Sequence, residues 1–123
     1  IVMHSEDGLD EISISAKTLG YEIRGPEIQP FCCEPEQFGF ERVKRSLVTT
    51  NSLSESIELV QNILNGQEVG PARNMVMMSS GVSLYLCGLS DSLENSVKEA
   101  GHLIRSGKAQ EILEKLIAYT STG

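Results

Sequence analysis

The hydrophobic period changes once along this chain, and that change limits what it can fold into. Up to Pro30 the apolar residues alternate with polar ones: Ile12 and Ile14 with Ser13 and Ser15, then Tyr21-Glu22-Ile23-Arg24. Alternation at period two is the mark of strands with one covered face. From Ser52 onward apolar residues recur every three or four positions, as in Leu53, Ile57, Val60 and Leu64. That is the stripe of an amphipathic helix. Strands first and helices afterwards give an α/β or α+β domain.

Punctuation refines the pattern. Gly25-Pro26 is a turn signal, so residues 21–24 and 27–31 read as a hairpin. Pro30 and Pro35 bound a loop through Cys32 and Cys33, and residues 41–51 have no clear period and read as a connection. Ser52 with Glu55 forms a capping box, and Gly66 stops the helix that follows. Pro71 sits where a first helical turn tolerates its missing N–H. The run from Met75 to Leu86 is apolar nearly all round, which marks a buried helix, and Ser79, Ser80, Gly81 and Ser83 let neighbours approach it. Asp91 with Glu94 is expected to cap a third helix with the face Leu93, Val97, Ala100 and Ile104, ended by Gly107. A fourth carries Ala109, Ile112, Leu113, Leu116 and Ile117, and the tail Thr120 to Gly123 is expected to fray.

Composition excludes some functions. With 10 Lys and Arg against 17 Asp and Glu, the net charge is −7. The scattered basic residues do not supply the phosphate-neutralising cluster that nucleic-acid binding rests on. No stretch approaches the roughly 18 apolar residues of a membrane helix, and no signal segment is present. The chain opens on Ile1 inside an apolar run, so it is expected to be a portion of a longer protein. Cys32, Cys33 and Cys87 have neither redox nor zinc spacing and read as three reduced thiols.

The chemistry concentrates in residues 4–11. Glu6, Asp7, Asp10 and Glu11 place four carboxylates in six positions around Gly8, directly after the apolar run Ile1-Val2-Met3. Such charge either stays in water or holds a cation. A hard ion such as Mg2+ takes oxygen ligands at roughly 2.1 Å, usually one or two carboxylates plus substrate phosphates. These residues therefore suit either a solvated acidic turn or a metal–phosphate site at a strand end. His4 reads as a hydrogen-bonded strand end rather than a general base, Asp7 as a turn former, and His102 as solvated. Tyr85 reads as core with its hydroxyl satisfied, and Met75, Met77 and Met78 as gap-filling core. No catalytic residue is assigned.

His4 to Glu11, followed by Ile12-Ser13, resembles the H-G-x-D-G-x-D-E-hydrophobic-S element of the anthranilate phosphoribosyltransferase family. Pro35-Glu36-Gln37-Phe38-Gly39-Phe40 resembles that family's P-E-x-F-G-L segment. Asn65-Gly66, Gly70-Pro71-Ala72-Arg73-Asn74 and the run Met75 to Gly88 resemble its next stretch, and Asp91 to Glu94 and Ser106 to Ala109 its last two helix starts. Ser5 stands where the family has Gly, Asn74 where Asp is common, and Ser79-Ser80 where Asn-Ala is common. The resemblance covers only the family's C-terminal portion.

The resemblance implies an α/β fold: the C-terminal part of a nucleoside-phosphorylase-like phosphoribosyltransferase domain, with a mixed sheet and hairpin followed by about four helices, across residues 1–123. It implies that Asp10 and Glu11 help hold Mg2+ on phosphoribosyl pyrophosphate, whose phosphoribosyl group passes to anthranilate in tryptophan biosynthesis. Consecutive strand residues face opposite ways, so both can serve one site only if the backbone is irregular there. The glycine-rich phosphate loop and the helical N-terminal domain, with its homodimer contact, are expected upstream of Ile1. The fragment alone is therefore expected to be inactive, and the full-length protein cytoplasmic. A pyrimidine nucleoside phosphorylase of the same fold, or a non-catalytic paralogue, are the alternatives. The Asp7-Gly8-Leu9-Asp10-Glu11 turn argues against the first, the acidic balance and the intact pair against the second.

Overall fold

Three strands lie side by side in the order β1 (Val2–Ser5), β2 (Thr18–Arg24) and β3 (Glu27–Cys33) in the computed structural model, which describes residues 1–121. Both pairings are antiparallel: Met3 faces Gly20 and His4 faces Leu19, while Tyr21 faces Pro30 and Ile23 faces Ile28. The expected hairpin is present, two residues longer at its far end and three longer at its start. The sheet of these residues is antiparallel throughout rather than mixed. Short turns of tight helix follow at Pro35–Phe38 and Arg45–Leu47, and then four helices: α1 (Leu53–Leu64), α2 (Pro71–Leu86), α3 (Leu93–Arg105) and α4 (Lys108–Thr120).

The strand expected at 12–15 does not form. Ile12, Ser13 and Ile14 are all fully buried, within a stretch that bends instead of extending. Alternation signals a strand only when one face meets water, and here both faces are covered. The two isoleucines act as anchors that pull the loop against the body of the domain. Each contributes about 1.5–3 kcal/mol by leaving water.

The helix ends show how closely local signals were followed. The Ser52 hydroxyl accepts the Glu55 N–H at 3.2 Å, and the Glu55 carboxylate reaches back to the Asn51 N–H at 2.8 Å, one residue before the reciprocal partner of an ideal box. For α3 the cap is Ser92, whose Oγ accepts the Asn95 N–H at 3.1 Å, and not Asp91. Asp91 instead accepts the Asn95 side-chain amide at 3.1 Å. Helix α4 continues through Thr120, whose hydroxyl donates to the carbonyls of Leu116 and Ile117. Of the tail expected to fray, residues 122 and 123 lie outside the described residues.

Helix α2 is the wall shared by two cores. Met78 and Val82 face the sheet side and pack with Ile12, Phe31 and Cys33. Met77 faces the other way, into a cluster with Ile63, Val97, Ala100 and Ile104. Phe38 and Phe40 touch both clusters, so the Pro35–Phe38 turn ties them together. Tyr85 sits half-buried at the end of α2, with its hydroxyl 3.2 and 3.3 Å from the two Glu22 oxygens. Arg24 pairs with the same carboxylate and lies 5.2 Å above the Tyr85 ring, which pins the hairpin to the helix. Cys33 is buried and Cys32 and Cys87 are exposed, all three as free thiols.

Candidate functional site

Strand β1 delivers the chain into a closed turn. The Ser5 N–H donates to the Leu9 carbonyl at 2.8 Å, and the Gly8 N–H to the Ser5 carbonyl at 3.0 Å. Gly8 takes φ +88°, a left-handed conformation that suits glycine best. The Glu6 N–H donates to the Lys17 carbonyl at 2.9 Å and the Ser5 hydroxyl to the same carbonyl at 3.2 Å. The turn is thereby fastened to the residue just before β2.

Asp10 and Glu11 follow at a bend, outside any strand, so the opposite-face objection to a shared site does not apply to them. Both are exposed. Neither side chain has a hydrogen-bond or ion-pair partner among the described residues. Glu11 is among the residues that line a groove of about 320 Å3, together with Leu59, Ile63, Ala72, Met75 and Val76 and, from the 41–51 connection, Val48 and Thr50.

Asp7 behaves differently from its three carboxylate neighbours. Its Oδ2 accepts the Ser13 hydroxyl at 2.7 Å, and its Oδ1 accepts the Leu9 N–H at 3.4 Å. Its carbonyl accepts from Arg45 Nη1 at 3.4 Å. Burial pushes the Asp7 carboxyl up, but the hydrogen bonds it accepts and the positive charge of Arg45 outweigh that, and hold it below its ordinary 3.8. Reading Asp7 as a turn former agrees with its bond to Leu9, and its link to Ser13 reaches further. Periodicity carries no sign of that link, because the alternation at 12–15 puts Ser13 on a strand. The seven-residue frame Asp7 to Ser13 in the motif itself was the signal that could have found it.

The remaining readings hold except that of Met75, which is half-buried on the groove and not part of the core. His4 is exposed on β1, with its ring Nδ1 3.4 Å from the Ser5 carbonyl. His102 is exposed on α3 beside Arg105. Met77 and Met78 are core, and Met75 lines the groove.

The donor set fits Mg2+. Two consecutive exposed carboxylates, without a hydrogen-bond or ion-pair partner among the described residues, are hard oxygen donors free of competing bonds there. Such a pair is the share of a Mg2+ shell that a protein would supply where a substrate phosphate and water complete it. Among the described residues no group of three or more His, Cys, Asp and Glu is gathered to hold a metal unaided.

The antiparallel hairpin sheet is backed by α2, and the loop after β1 carries the two exposed carboxylates. Residues 1–110 match the glycosyl transferase family, a/b domain, and the chain belongs to that family. Its relatives are anthranilate phosphoribosyltransferases, as the motif resemblance implied. The enzyme of that name from Methanobrevibacter smithii is 41% identical over 120 residues, 98% of this chain and 36% of the relative. That from Desulfosudis oleivorans is 38% identical over 121 residues, again 36% of its length. The anthranilate phosphoribosyltransferase of Saccharomyces cerevisiae, solved with 4-fluoroanthranilate, superposes with a TM-score of 0.88 at 25% identity, covering 98% of this chain and 35% of that one. A variant of the yeast enzyme with Mg bound gives the same values. The chain thus spans a little over a third of the length of the relatives it matches. Among the described residues no helix is long and apolar enough to cross a membrane.

Proposed function

We propose that residues 1–123 form the C-terminal portion of the large α/β domain of an anthranilate phosphoribosyltransferase, and that Asp10 and Glu11 are its metal-holding carboxylates. The observation that carries this is the pair itself: in a chain with these relatives, the motif's last two acids stand exposed and unpaired beside an open groove. In the proposed reaction the amine of anthranilate forms a bond to C1 of the ribose, the bond from C1 to pyrophosphate breaks, and the amine proton leaves to solvent or a base. Mg2+ held there would neutralise the departing pyrophosphate as C1 gains positive charge. Asp10 and Glu11 supply the anionic oxygens, and the Asp7 turn keeps them clear of other partners.

The reading extends to the whole protein. Phosphoribosyl pyrophosphate and anthranilate are its substrates and tryptophan biosynthesis its pathway, in the cytoplasm. The phosphate loop belongs to the rest of the large domain, and a helical N-terminal domain makes a homodimer. Residues 1–123 alone are inactive on this account. Full-length protein, incubated with Mg2+, phosphoribosyl pyrophosphate and anthranilate, should consume anthranilate fluorescence and release one pyrophosphate per turnover. Consumption of a pyrimidine nucleoside with phosphate, and none of anthranilate, would replace this reading with the phosphorylase one.

A further inference from the structure

We infer that Asp7 is a positioning residue whose bond to Ser13 sets the loop that presents Asp10 and Glu11. The inference rests on the metal reading of that pair and adds to it the device that holds the pair in place.

Residues 10–13 have no regular structure to orient them. Among the described residues, no backbone-to-backbone hydrogen bond involves any of the four. Their order comes from what lies at each end. On the near side Asp7 Oδ1 takes the Leu9 N–H at 3.4 Å. On the far side Asp7 Oδ2 takes the Ser13 hydroxyl at 2.7 Å. One carboxylate therefore grips the chain immediately before and two residues after the Asp10-Glu11 pair.

Ser13 is itself immobilised, so the grip transmits position and does not merely tether. It is fully buried, its N–H donates to Thr18 Oγ1 at 3.2 Å, and its Oγ accepts the Ser15 N–H at 2.9 Å. Thr18 is also fully buried and opens β2 opposite Ser5. The route thus runs from the sheet through Thr18 and Ser13 to Asp7, and back to the sheet through Ser5. Asp10 and Glu11 lie within that ring and contribute nothing to it. Groups that bond directly to a metal's own ligands typically matter 10–100-fold to metal binding or activity; Asp7 touches neither Asp10 nor Glu11 and would act one step further out, through the backbone that carries them.

The experiment uses full-length protein with Asp7→Ala, Asp7→Asn, Ser13→Ala and Asp10→Asn. Mg2+ affinity of the enzyme saturated with phosphoribosyl pyrophosphate is read by calorimetry, without anthranilate and so without turnover. Hydrogen exchange at residues 9–15 is read in the metal-free protein. Asp7→Ala and Ser13→Ala should each weaken Mg2+ about tenfold or more, and speed exchange across 9–15 well below the melting temperature. Asp7→Asn should recover most of the affinity, because its amide oxygen can still accept from Ser13. Normal Mg2+ affinity in both Asp7→Ala and Ser13→Ala, with only a lower melting temperature, would overturn the inference while Asp10→Asn still weakens Mg2+. Normal affinity in Asp10→Asn as well would overturn the metal reading on which it rests.

Discussion

Gly81 on α2 lies so close to Val97 on α3 that a methyl group added there would stand 2.9 Å from both the Val97 Cα and its amide nitrogen. The Val97 Cγ2 methyl would lie closer still, and the two backbone atoms cannot swing aside. Overpacking of this kind costs about 1–3 kcal/mol. Gly81→Ala in the full-length protein should therefore lower the urea midpoint of this domain with its slope unchanged. An unchanged midpoint would mean that α2 and α3 stand further apart than described.

The three thiols should separate by reactivity. Burial pushes the Cys33 thiol up to about 12, assisted by Cys32 and the acids Glu94 and Glu34. Cys32 and Cys87 are exposed. The thiolate is the reacting form. A thiol-titrating disulfide at pH 8 should count two groups quickly in native protein and three in denaturant, for these residues. Rapid labelling of Cys33 in folded protein would contradict its burial.

Much of this fold could be read from residues alone, and the failures share a cause. Helices α1 to α4 form where their caps and spacing place them, and Gly25-Pro26 turns the hairpin, because each depends on neighbours in sequence; which face is covered does not, and Leu53 and Ile57 on α1 and Ile112 and Leu116 on α4 are exposed. The 12–15 stretch misled because Ile12 and Ile14 are covered from both sides, by packing that periodicity does not contain. Ser92 displaced Asp91 as the cap by one residue, a distinction set by backbone angles and not by residue type. At the site, sequence showed four carboxylates without showing which was engaged. Only the fold brings Ser13 within 2.7 Å of Asp7 and leaves Asp10 and Glu11 apart.

The Asp7 carboxyl predicts a sign for acid unfolding. Its folded value is held below 3.8 by hydrogen bonds and Arg45, so its contribution is fully present above 3.8 and is lost as pH falls through the lower folded value. Asp7→Asn should be less stable than the parent at pH 7, and the difference should close as pH falls below 3.8. A difference that stayed constant over that range would remove Asp7 charge as its source.

Residues 1–123 produced alone should associate. β1 and β3 are both edge strands, each paired on one side only among the described residues, and Val2 is 68% exposed beside exposed Tyr21 and Ile28. Unpaired strand edges with apolar faces pair with further copies. Light scattering over a dilution series should show mass rising with concentration, and a monomer throughout would refute this.

Asp10 and Glu11 should serve chemistry at no gain in stability. Neither has a hydrogen-bond or ion-pair partner among the described residues, and each adds like charge to a turn that already carries Glu6 and Asp7. In full-length protein, Asp10→Asn or Glu11→Gln should slow Mg2+-dependent phosphoribosyl transfer about tenfold or more, the scale of a lost electrostatic contact of a few kcal/mol. The defect in Glu11→Gln should shrink as Mg2+ is raised, because a weakened site refills by mass action. Melting temperature without Mg2+ should hold level or rise, since a repelling charge has gone. Carboxylates that merely capped the turn would give the opposite pair of results: unchanged kinetics and a lower melting temperature. Asp7→Asn is the internal contrast, because its carboxylate is engaged and its loss should lower melting even without metal. Full activity in either Asp10→Asn or Glu11→Gln would strike that residue from the site.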